Sequence, residues 1–554
     1  MILDKKTKNR CVIFLFFDKD GVVDRYVARM LEDLRKSSAF ILTAANGYVD
    51  GQGRKILEDC SDEVIYRPNT GFDLGGYRDG IFHLGFRFIS SFDELLMMNY
   101  TFFGPLTSFE DMFEEMAGRD LDFWGITSHK RLEDNPYREE MGIPYFPEHL
   151  NSHFLAIRKS LASSWAFKDY MCSHKNPESY LESITGYEAV FTEHFAGLGY
   201  RWQAYVDPAD LAEMNPAPFA YLAAELIRNN DCQILKRRNF FGDYTVFLQN
   251  TAGENSVRAY EALKETGYDT ELIWENILRL QDPSEIRTVM HLARYPSVEA
   301  TGHVFREKEA AVFILGGKEK AEVLLYPYIA EMEKELPVFY LEEEGYAAGL
   351  QKAAGLARDY AYILVLNPFG LPPAKGPKSN LASLLYAELE CTAASRAMIG
   401  NVLDIFENEK RIGLLVPPLP CFGNYFEELG DGYQGRFEEL KRLSGEAGFS
   451  FPISDKNPPA YSYGGSFWIR SGIFEDVMRR SPEEAKADEG LMKLIFPLLV
   501  QEAGYLTALL AGSRYGAVLS TNLDYAMREN NKVVFKRFGP DYYWSELDKI
   551  RKRD

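Results

Sequence analysis

Strand-length and helix-length hydrophobic patterns alternate over the first 70 residues of the chain. Cys11–Phe17 is a continuous apolar run, and Phe40–Ala44 and Glu63–Tyr66 predict two further strands. Asp24–Lys36 carries apolar residues at helical spacing, and Gln52–Cys60 predicts a second helix. This β-α-β-α-β order predicts a parallel, doubly wound sheet, whose ligand site lies at the carboxyl ends of its strands.

The same alternation continues, so we predict a first α/β domain over residues 1–215. After a helix that ends near Phe86, the predicted elements are the strands Asp93–Met98, Asp122–Ile126, Ser152–Ile157 and Arg201–Val206 and the helix Glu182–Leu198.

Residues 216–305 predict a helical connector, because Phe219–Asn229 and Ser256–Leu280 have helical patterns and no new strand series begins. A second series begins with the strand Ala310–Leu315, the helix Glu319–Lys334 and the strands Val338–Leu341 and Tyr360–Leu366, and it predicts a second α/β domain over residues 306–525. The remaining residues, 526–554, form a tail rich in basic and aromatic side chains.

Short strings in the two predicted domains resemble each other in order and spacing. Leu96–Asn99 parallels Leu364–Asn367, and Ser152–Arg158 parallels Gly465–Arg470. These echoes predict an internal duplication. The second copy has no counterpart of Asn69–Asp73, so we expect it to be degenerate and non-catalytic.

Composition narrows the classes of function. The 554 residues carry a net charge of −20, and no region has the strong basic excess that neutralises phosphates, which argues against a nucleic acid partner. No apolar run approaches the roughly 20 residues that span a bilayer. The six cysteines form no C-x-x-C pair, so we expect a cytoplasmic protein rather than a disulfide framework.

The sharpest local motif follows the first predicted strand. Asp18-Lys19-Asp20-Gly21-Val22 resembles the first motif of haloacid-dehalogenase-type phosphatases. In that motif the first Asp is the nucleophile, the second Asp is the general acid and base, and both act around a Mg²⁺ ion. The acidic pair that completes such a metal site is missing downstream. The alternative is that Asp18 and Asp20 shape the turn and cap the next helix.

A glycosyltransferase function would account for motifs over more of the chain. In the GT-A fold, an Asn-x-Gly element opens the helix before a central strand, and that strand ends in carboxylates that hold a divalent metal on the diphosphate. Here Asn69-Thr70-Gly71 stands before the helix, but the strand ends in Asn99-Tyr100-Thr101, without a carboxylate. Either Arg side chains and helix N-termini hold the diphosphate, or Asp73 or Asp18 supplies metal ligands from elsewhere.

The chain resembles the rhamnan synthesis protein F family, which is linked to rhamnose-containing cell-surface polysaccharides. The matching motifs are Asp18–Asp24, Asn69–Tyr77, Asn99–Pro105, Asp122–Thr127, Glu148–Phe154, Tyr187-Glu188 and Lys236–Arg238. The resemblance implies two GT-A-like, Rossmann-like units with mostly parallel sheets, joined by the connector. It also implies a rhamnosyltransferase-like enzyme that uses a nucleotide-activated sugar, with dTDP-rhamnose as a candidate donor, and that acts in polysaccharide and cell wall synthesis.

Roles within such an enzyme follow from position. We expect Glu188 to take the acceptor hydroxyl proton. We expect the nucleotide, diphosphate or sugar of the donor to be bound by Asp18, Asp20, Asn69, Asp73 and Asn99. We expect the acceptor to contact His149 and His153.

The cofactor and partners follow in the same way. A divalent Mg²⁺ or Mn²⁺ is the candidate cofactor, with its ligands unassigned. The acceptor is a polysaccharide or a lipid-linked saccharide. The basic, aromatic tail is also typical of a peripheral membrane contact. The alternatives are a phosphatase acting through Asp18 and a non-catalytic, transferase-like scaffold.

Overall fold

The computed structural model describes residues 1–206, 211, 213–215, 217–242, 244–372, 380–425 and 432–539. The chain forms two compact units, Met1–Ile277 and Leu278–Asp554, and each is mixed α/β with one mostly parallel seven-stranded sheet. The segment predicted as a connector, 216–305, is divided between these two units. Of the predicted tail, 540–554 lies outside the described residues.

The sheet of the first unit has the order β3-β2-β1-β4-β9-β6-β10, and only β9 is antiparallel to its neighbours. The chain winds outward from β1 to β3 and then crosses to β4 on the other side of β1, which creates a switch point between β1 and β4. The strands are β1 Arg10–Phe17, β2 Phe40–Asn46, β3 Glu63–Arg67, β4 Glu94–Asn99, β5 Phe102–Phe103, β6 Phe123–Gly125, β7 Ser128–His129, β8 His149–Leu150, β9 Phe154–Arg158, β10 Trp202–Ala204 and β11 Leu235–Lys236; β7 pairs with β8 and β5 with β11 outside the sheet.

Helices cover this sheet, and the crossover from β3 to β4 packs closest to it. In the helix Phe72–Leu84, a Cβ added at Gly76 would lie 2.3 Å from the Leu15 side chain, and one at Gly80 would lie 2.7 Å from Ile13. The two glycines therefore set the close approach of this helix to β1. The other α-helices of the unit are Arg25–Lys36, Gly51–Cys60, Phe86–Ile89, Phe109–Ala117, Arg138–Met141, Lys159–Ala162, Trp165–Ser173, Tyr180–Ser183, Ala189–Gly197, Pro218–Tyr221, Ala223–Asn229, Tyr244–Asn250, Asn255–Glu265 and Glu271–Leu280.

The sheet of the second unit has the order β14-β13-β15-β17-β16-β18-β12, and only β17 is antiparallel to its neighbours. Its strands are β12 Ala293–Arg294, β13 Ala310–Leu315, β14 Val338–Leu341, β15 Tyr362–Leu366, β16 Ile412–Val416, β17 Phe467–Arg470 and β18 Leu506–Leu510. The α-helices are Pro283–Val289, Lys318–Leu325, Tyr328–Met332, Tyr346–Leu356, Asn380–Thr392, Arg396–Asn408, Phe437–Glu446, Ser471–Arg480, Glu483–Ala487, Glu489–Glu502 and Ser513–Phe538.

Six strands of each sheet correspond in order and direction. The sequence β2-β1-β4-β9-β6-β10 of the first unit matches β14-β13-β15-β17-β16-β18 of the second, and β9 and β17 are the antiparallel members. The close contact between a helix and the first strand also recurs. A Cβ added at Gly349, in the helix Tyr346–Leu356, would lie 2.9 Å from the side chain of Leu315 in β13. These correspondences agree with the duplication expected from the sequence strings.

Four predicted helices are interrupted in the structure. Phe219–Asn229 is divided at Leu222, between the helices Pro218–Tyr221 and Ala223–Asn229. Ser256–Leu280 is broken around Gly267, which has a φ of +78° that L-residues rarely adopt. The helix expected between β13 and β14 is divided at Pro327, which cannot continue a helix. Glu182–Leu198 contains a π-helical turn at Ile184–Glu188.

Among the described helices, none combines the length with the apolar character that a bilayer crossing requires.

Candidate functional site

A cavity of about 530 Å³ opens at the carboxyl edge of the first sheet, at the switch point between β1 and β4. This volume lies within the range of about 300–1,000 Å³ that is typical of small-molecule sites. Its lining combines aromatic, amide, carboxylate and basic side chains: Leu15, Phe17, Asn46, Asn69, Phe72, Asp73, Asn99, Tyr100, Thr101, Ser152, Tyr180, Ser183, Ile184, Glu188, Lys236, Arg237, Arg238 and Phe241.

Two carboxylates share one hydroxyl group in the wall of this cavity. Ser152 Oγ donates to Glu188 Oε2 and lies 3.2 Å from Asp73 Oδ2, and the Ser152 N–H donates to the same Glu188 oxygen at 2.9 Å. Asn99 Nδ2 donates to Asp73 Oδ2 at 2.8 Å. The end of β4 has no carboxylate of its own, and the Asp73 side chain, from the first turn of the helix Phe72–Leu84, occupies that place.

The surroundings move the pKa values of the two carboxylates in opposite directions. Burial, followed by the nearby Glu188 charge, raises the pKa of Asp73 to about 6. Burial also acts to raise the pKa of Glu188, but His149, Lys236 and the bonds from Ser152 outweigh it and hold that pKa below its ordinary value. Glu188 is therefore ionised at neutral pH, while Asp73 titrates close to neutrality.

Three consecutive basic residues, Lys236–Arg238, line the same cavity. They reach the cavity because β11 pairs antiparallel with β5, directly after the end of β4. The guanidinium carbon of Arg237 lies 5.6 Å from the Tyr26 ring centroid and 5.5 Å from that of Tyr100, and its buried Nε has no hydrogen-bond partner. Burial lowers the pKa of Lys236 although both acidic side chains favour its charged form.

A buried arginine fixes the loop that borders the cavity. Arg67 donates to Asn46 Oδ1 at 2.5 Å, to the Thr70 carbonyl oxygen at 2.8 Å and to Asp79 at 2.6 Å. Asn46 Nδ2 in turn donates to Asn69 Oδ1 at 3.1 Å. Asn69 is thereby held at the cavity mouth, at the start of the helix Phe72–Leu84.

The donor set gives little support for a divalent metal. Asp73 and Glu188 are two carboxylates, and no cluster of three His, Cys, Asp or Glu side chains suited to a metal ion exists within the described residues. Lys236 already supplies positive charge next to both carboxylates. These residues fit an anion held by basic side chains better than they fit a resident Mg²⁺ or Mn²⁺.

Of the predicted donor residues, Asn69, Asp73 and Asn99 line the cavity, whereas Asp18 and Asp20 do not. Asp18 Oδ1 accepts from the backbone N–H groups of Asp20 and Val22, at 2.9 and 3.1 Å. Asp20 pairs with Lys19 at the surface. These contacts match the turn-shaping alternative, and a donor contact of Asp18 and Asp20 stays a prediction.

The predicted acceptor residues His149 and His153 are both buried and neither lines this cavity. His149 Nδ1 bonds to the Pro147 carbonyl oxygen at 2.8 Å, and its Nε2 faces Glu188 Oε1 at 4.0 Å. His153 stacks on Phe219 with ring centroids 5.1 Å apart. Burial, followed by the Lys236 charge, places its pKa well below the ordinary value, so the ring is neutral. The geometry makes His149 a neighbour of the predicted base and His153 a packed side chain.

Sequence reasoning did not single out Ser152 or Arg67. Ser152 lies in the matching motif Glu148–Phe154 and begins the predicted strand Ser152–Ile157, but nothing in the sequence links it to carboxylates 79 and 36 residues away. Arg67 ends β3 and had no distinguishing pattern. The π-helical turn that carries Glu188 is a feature often found at functional sites, and hydrophobic periodicity does not reveal it.

In the part of the second unit that the structure describes, the corresponding edge is occupied by its own side chains. Asn367 follows β15 as Asn99 ends β4, and its Nδ2 donates to Glu489 Oε1 at 3.2 Å. Lys493, one helical turn further, pairs with Glu489 at 2.7 Å and donates to the Tyr463 carbonyl oxygen at 3.0 Å. A cavity of about 10 Å³ lies beside Lys493 among the described residues, and it is smaller than a ligand needs.

Comparisons with known proteins agree with the motif resemblance. Residues 41–315 match the family model for rhamnan synthesis protein F, which confirms that resemblance and includes every cavity residue except Leu15 and Phe17. The uncharacterized protein y4gN of Sinorhizobium fredii is 24% identical over 201 residues, which cover 36% of this chain. The match spans 49% of that relative's length.

Solved structures show only a distant likeness. The mannosyltransferase Ktr4p of S. cerevisiae in complex with GDP has 10% identity and a TM-score of 0.20, over 30% of this chain and 61% of that one. A second structure of Ktr4p gives 11% identity, the same TM-score, and 30% and 60% coverage. These scores are too low to bear on function.

Proposed function

Since residues 41–315 carry the rhamnan synthesis protein F region, we propose that the chain is a glycosyltransferase. It moves a sugar, rhamnose in our proposal, from a nucleoside diphosphate donor to a growing polysaccharide. The observation that carries the proposal is the cavity at the switch point of the first sheet, in which three basic side chains face two linked carboxylates.

The basic wall suits the diphosphate of the donor. Lys236, Arg237 and Arg238 supply three positive charges, and the unpartnered Nε of Arg237 supplies a free donor. The first turn of the helix Phe72–Leu84 borders the same space and favours negative charge through its N–H groups. Because the leaving diphosphate gains charge during transfer, these groups bind the transition state more strongly than the substrate.

The carboxylate pair suits the acceptor side of the reaction. The acceptor hydroxyl oxygen bonds to the sugar C1, its proton passes to a carboxylate, and the bond from C1 to the diphosphate oxygen breaks. Glu188 remains our proposed base because it is ionised at neutral pH. Asp73 is the second candidate, since its pKa of about 6 is closer to the working pH of such a base.

Binding of nucleoside diphosphates tests the proposal directly. Calorimetric titration with UDP, GDP and dTDP, each with EDTA and with Mn²⁺, should give one binding site in at least one case. The double variant Arg237→Gln, Arg238→Gln should weaken that binding at least tenfold. Arg131→Gln, which removes an exposed arginine outside the cavity, is the matched control and should change nothing. If none of the three nucleotides gives a measurable heat of binding, the proposal is contradicted and the scaffold alternative is favoured.

The donor sugar and the metal are separate questions for the same protein. A thermal-shift screen with UDP-, GDP-, dTDP- and CMP-sugars should select dTDP-rhamnose if rhamnose is transferred, with a stabilisation of about 2.7 kcal/mol at 100 times the dissociation constant. Equal binding with EDTA and with Mn²⁺ is expected from the donor set. The phosphatase alternative predicts instead a beryllofluoride adduct on Asp18 and no nucleotide binding.

We also propose that both sheets are GT-A-like units related by duplication, and that the second is non-catalytic. The shared order of six strands and the described side chains that occupy the edge of the second sheet support this. The cytoplasmic location and a peripheral membrane contact stay predictions.

A further inference from the structure

A second cavity, of about 390 Å³, lies beside the first and shares part of its wall. Tyr180, Lys236, Arg238 and Phe241 line both spaces. Neighbouring residues of one loop also face different sides, because Ser152 lines the first cavity and Asn151 the second. The two cavities therefore meet at the loop whose Ser152 is hydrogen-bonded to Glu188.

The lining of the second cavity is mainly aromatic. Phe219, Tyr221, Phe241 and Phe247 line it, and on the far side of Phe219 lies the neutral ring of His153. Aromatic faces of this kind cover the apolar C–H faces of sugar rings, and the two basic side chains of this lining, Lys236 and Arg238, are shared with the first cavity.

One buried polar atom in this lining has no partner. Asn239 is 3% exposed, its Nδ2 donates to the Lys236 carbonyl oxygen at 3.2 Å, and its Oδ1 accepts no hydrogen bond. A buried acceptor without a donor costs about 1–3 kcal/mol, so a ligand hydroxyl that donates to it would be favoured. Hydroxyl groups and apolar ring faces together are the chemistry of a saccharide.

A chain of contacts joins this cavity to the proposed base. His129 lines the cavity and stacks on His149, with ring centroids 5.4 Å apart and planes 6° from parallel. His149 faces Glu188 across 4.0 Å. His129 therefore connects the second cavity, through His149, to Glu188, the carboxylate that would take the acceptor proton.

We propose that the second cavity is the acceptor site and that it binds the terminal sugar of a polysaccharide. This inference rests on the proposed function, since it assigns the other substrate of the same reaction. His149 and His153 then act from behind the acceptor site, as positioning residues, rather than by direct contact.

Ligand-observed NMR with methyl α-L-rhamnoside and a linear rhamnose trisaccharide, run with the whole protein, tests the assignment. The trisaccharide should bind more tightly than the monosaccharide. Tyr221→Ala and Phe247→Ala should each weaken trisaccharide binding at least tenfold and change nucleotide binding less than twofold. Asn69→Ala, in the first cavity only, should show the reverse pattern. Trp165→Ala removes an aromatic side chain that is 73% exposed and outside both cavities, so it controls for unspecific stacking.

Each result bears on one of the two claims. Nucleotide binding together with saccharide binding that depends on Asn69 rather than Tyr221 overturns the acceptor site and leaves the transferase proposal in place. Failure of both saccharides to bind, in the presence of bound nucleotide, also overturns it. Absence of nucleotide binding contradicts the transferase proposal, whatever the saccharide arms show.

Discussion

Replacing Asp73 with Asn should stabilise the protein at neutral pH, because the native fold holds this carboxylate in an unfavourable place. Burial and the neighbouring Glu188 raise the pKa of Asp73 from 3.8 to about 6. A raised acid pKa means that the unfolded chain loses its proton first as the pH rises. The contribution of Asp73 to stability is therefore greatest below pH 4 and is lost progressively between pH 4 and pH 6.

The size of the effect follows from the shift. A difference of about 2 pKa units corresponds to about 3 kcal/mol, at 1.36 kcal/mol per unit. Because Asp73 lines an open cavity and is half-buried, water screens part of this cost, and we expect about 1–3 kcal/mol. Asn keeps the size of the side chain and an oxygen that can accept from Asn99, so the charge is the main change.

Urea unfolding of both proteins between pH 3.5 and pH 8 measures the difference. The gain from Asp73→Asn should be smallest near pH 3.5, grow between pH 4 and pH 6, and stay constant above. Asp134→Asn, an exposed carboxylate outside the cavity, should give a difference that does not vary with pH. A gain from Asp73→Asn that is equally independent of pH would refute the linkage argument.

The other expected outcomes concern single side chains. Glu188→Gln should show the opposite trend, since its lowered pKa contributes stability above about pH 4.5 that is lost on acidification; the same urea series measures it. Gly76→Ala should cost about 1–3 kcal/mol in urea because the new methyl group meets β1, whereas Gly355→Ala, where a Cβ meets no atom within 4 Å, should be neutral or stabilising. Arg67→Met should cost about 2–4 kcal/mol and weaken nucleotide binding at least tenfold in calorimetry, because the loop that carries Asn69 loses its anchor. Lys493→Met should destabilise the protein by a similar amount, about 2–4 kcal/mol, and leave nucleotide binding unchanged.

Much of the fold could be predicted because it depends on local hydrophobic pattern. The strands β1, β2, β3 and β4 are short apolar or alternating runs, and the structure has each within about two residues of its predicted bounds. The predicted order of a parallel, doubly wound sheet is likewise confirmed. Helix breaks at Gly267 and Pro327 were missed, since the helical spacing of apolar residues continues across both.

The site could be predicted less completely because its contacts join distant parts of the chain. Asn69, Asp73, Asn99 and Glu188 were named from motifs, and the cavity brings all four together. The shared hydroxyl of Ser152 could not be deduced, because no local pattern records which side chains meet across a sheet edge. The position of Lys236–Arg238 depends on a pair of two-residue strands, too short to show any periodicity.

Within the described residues, the two units differ in the source of the positive charge that stands beside one glutamate. Glu188 directly precedes the helix Ala189–Gly197, and Glu489 is the first residue of the helix Glu489–Glu502. These helices lead to β10 and β18, the last strands of the shared order. Four residues after its glutamate, the first unit has Thr192, which is buried and accepts from the Leu150 N–H at 2.9 Å. The second unit has Lys493 there, which reaches back and pairs with Glu489. In the first unit the positive charge comes instead from residues 236–238, outside the sheet, so it balances the carboxylates across an open cavity and remains available to an anionic ligand.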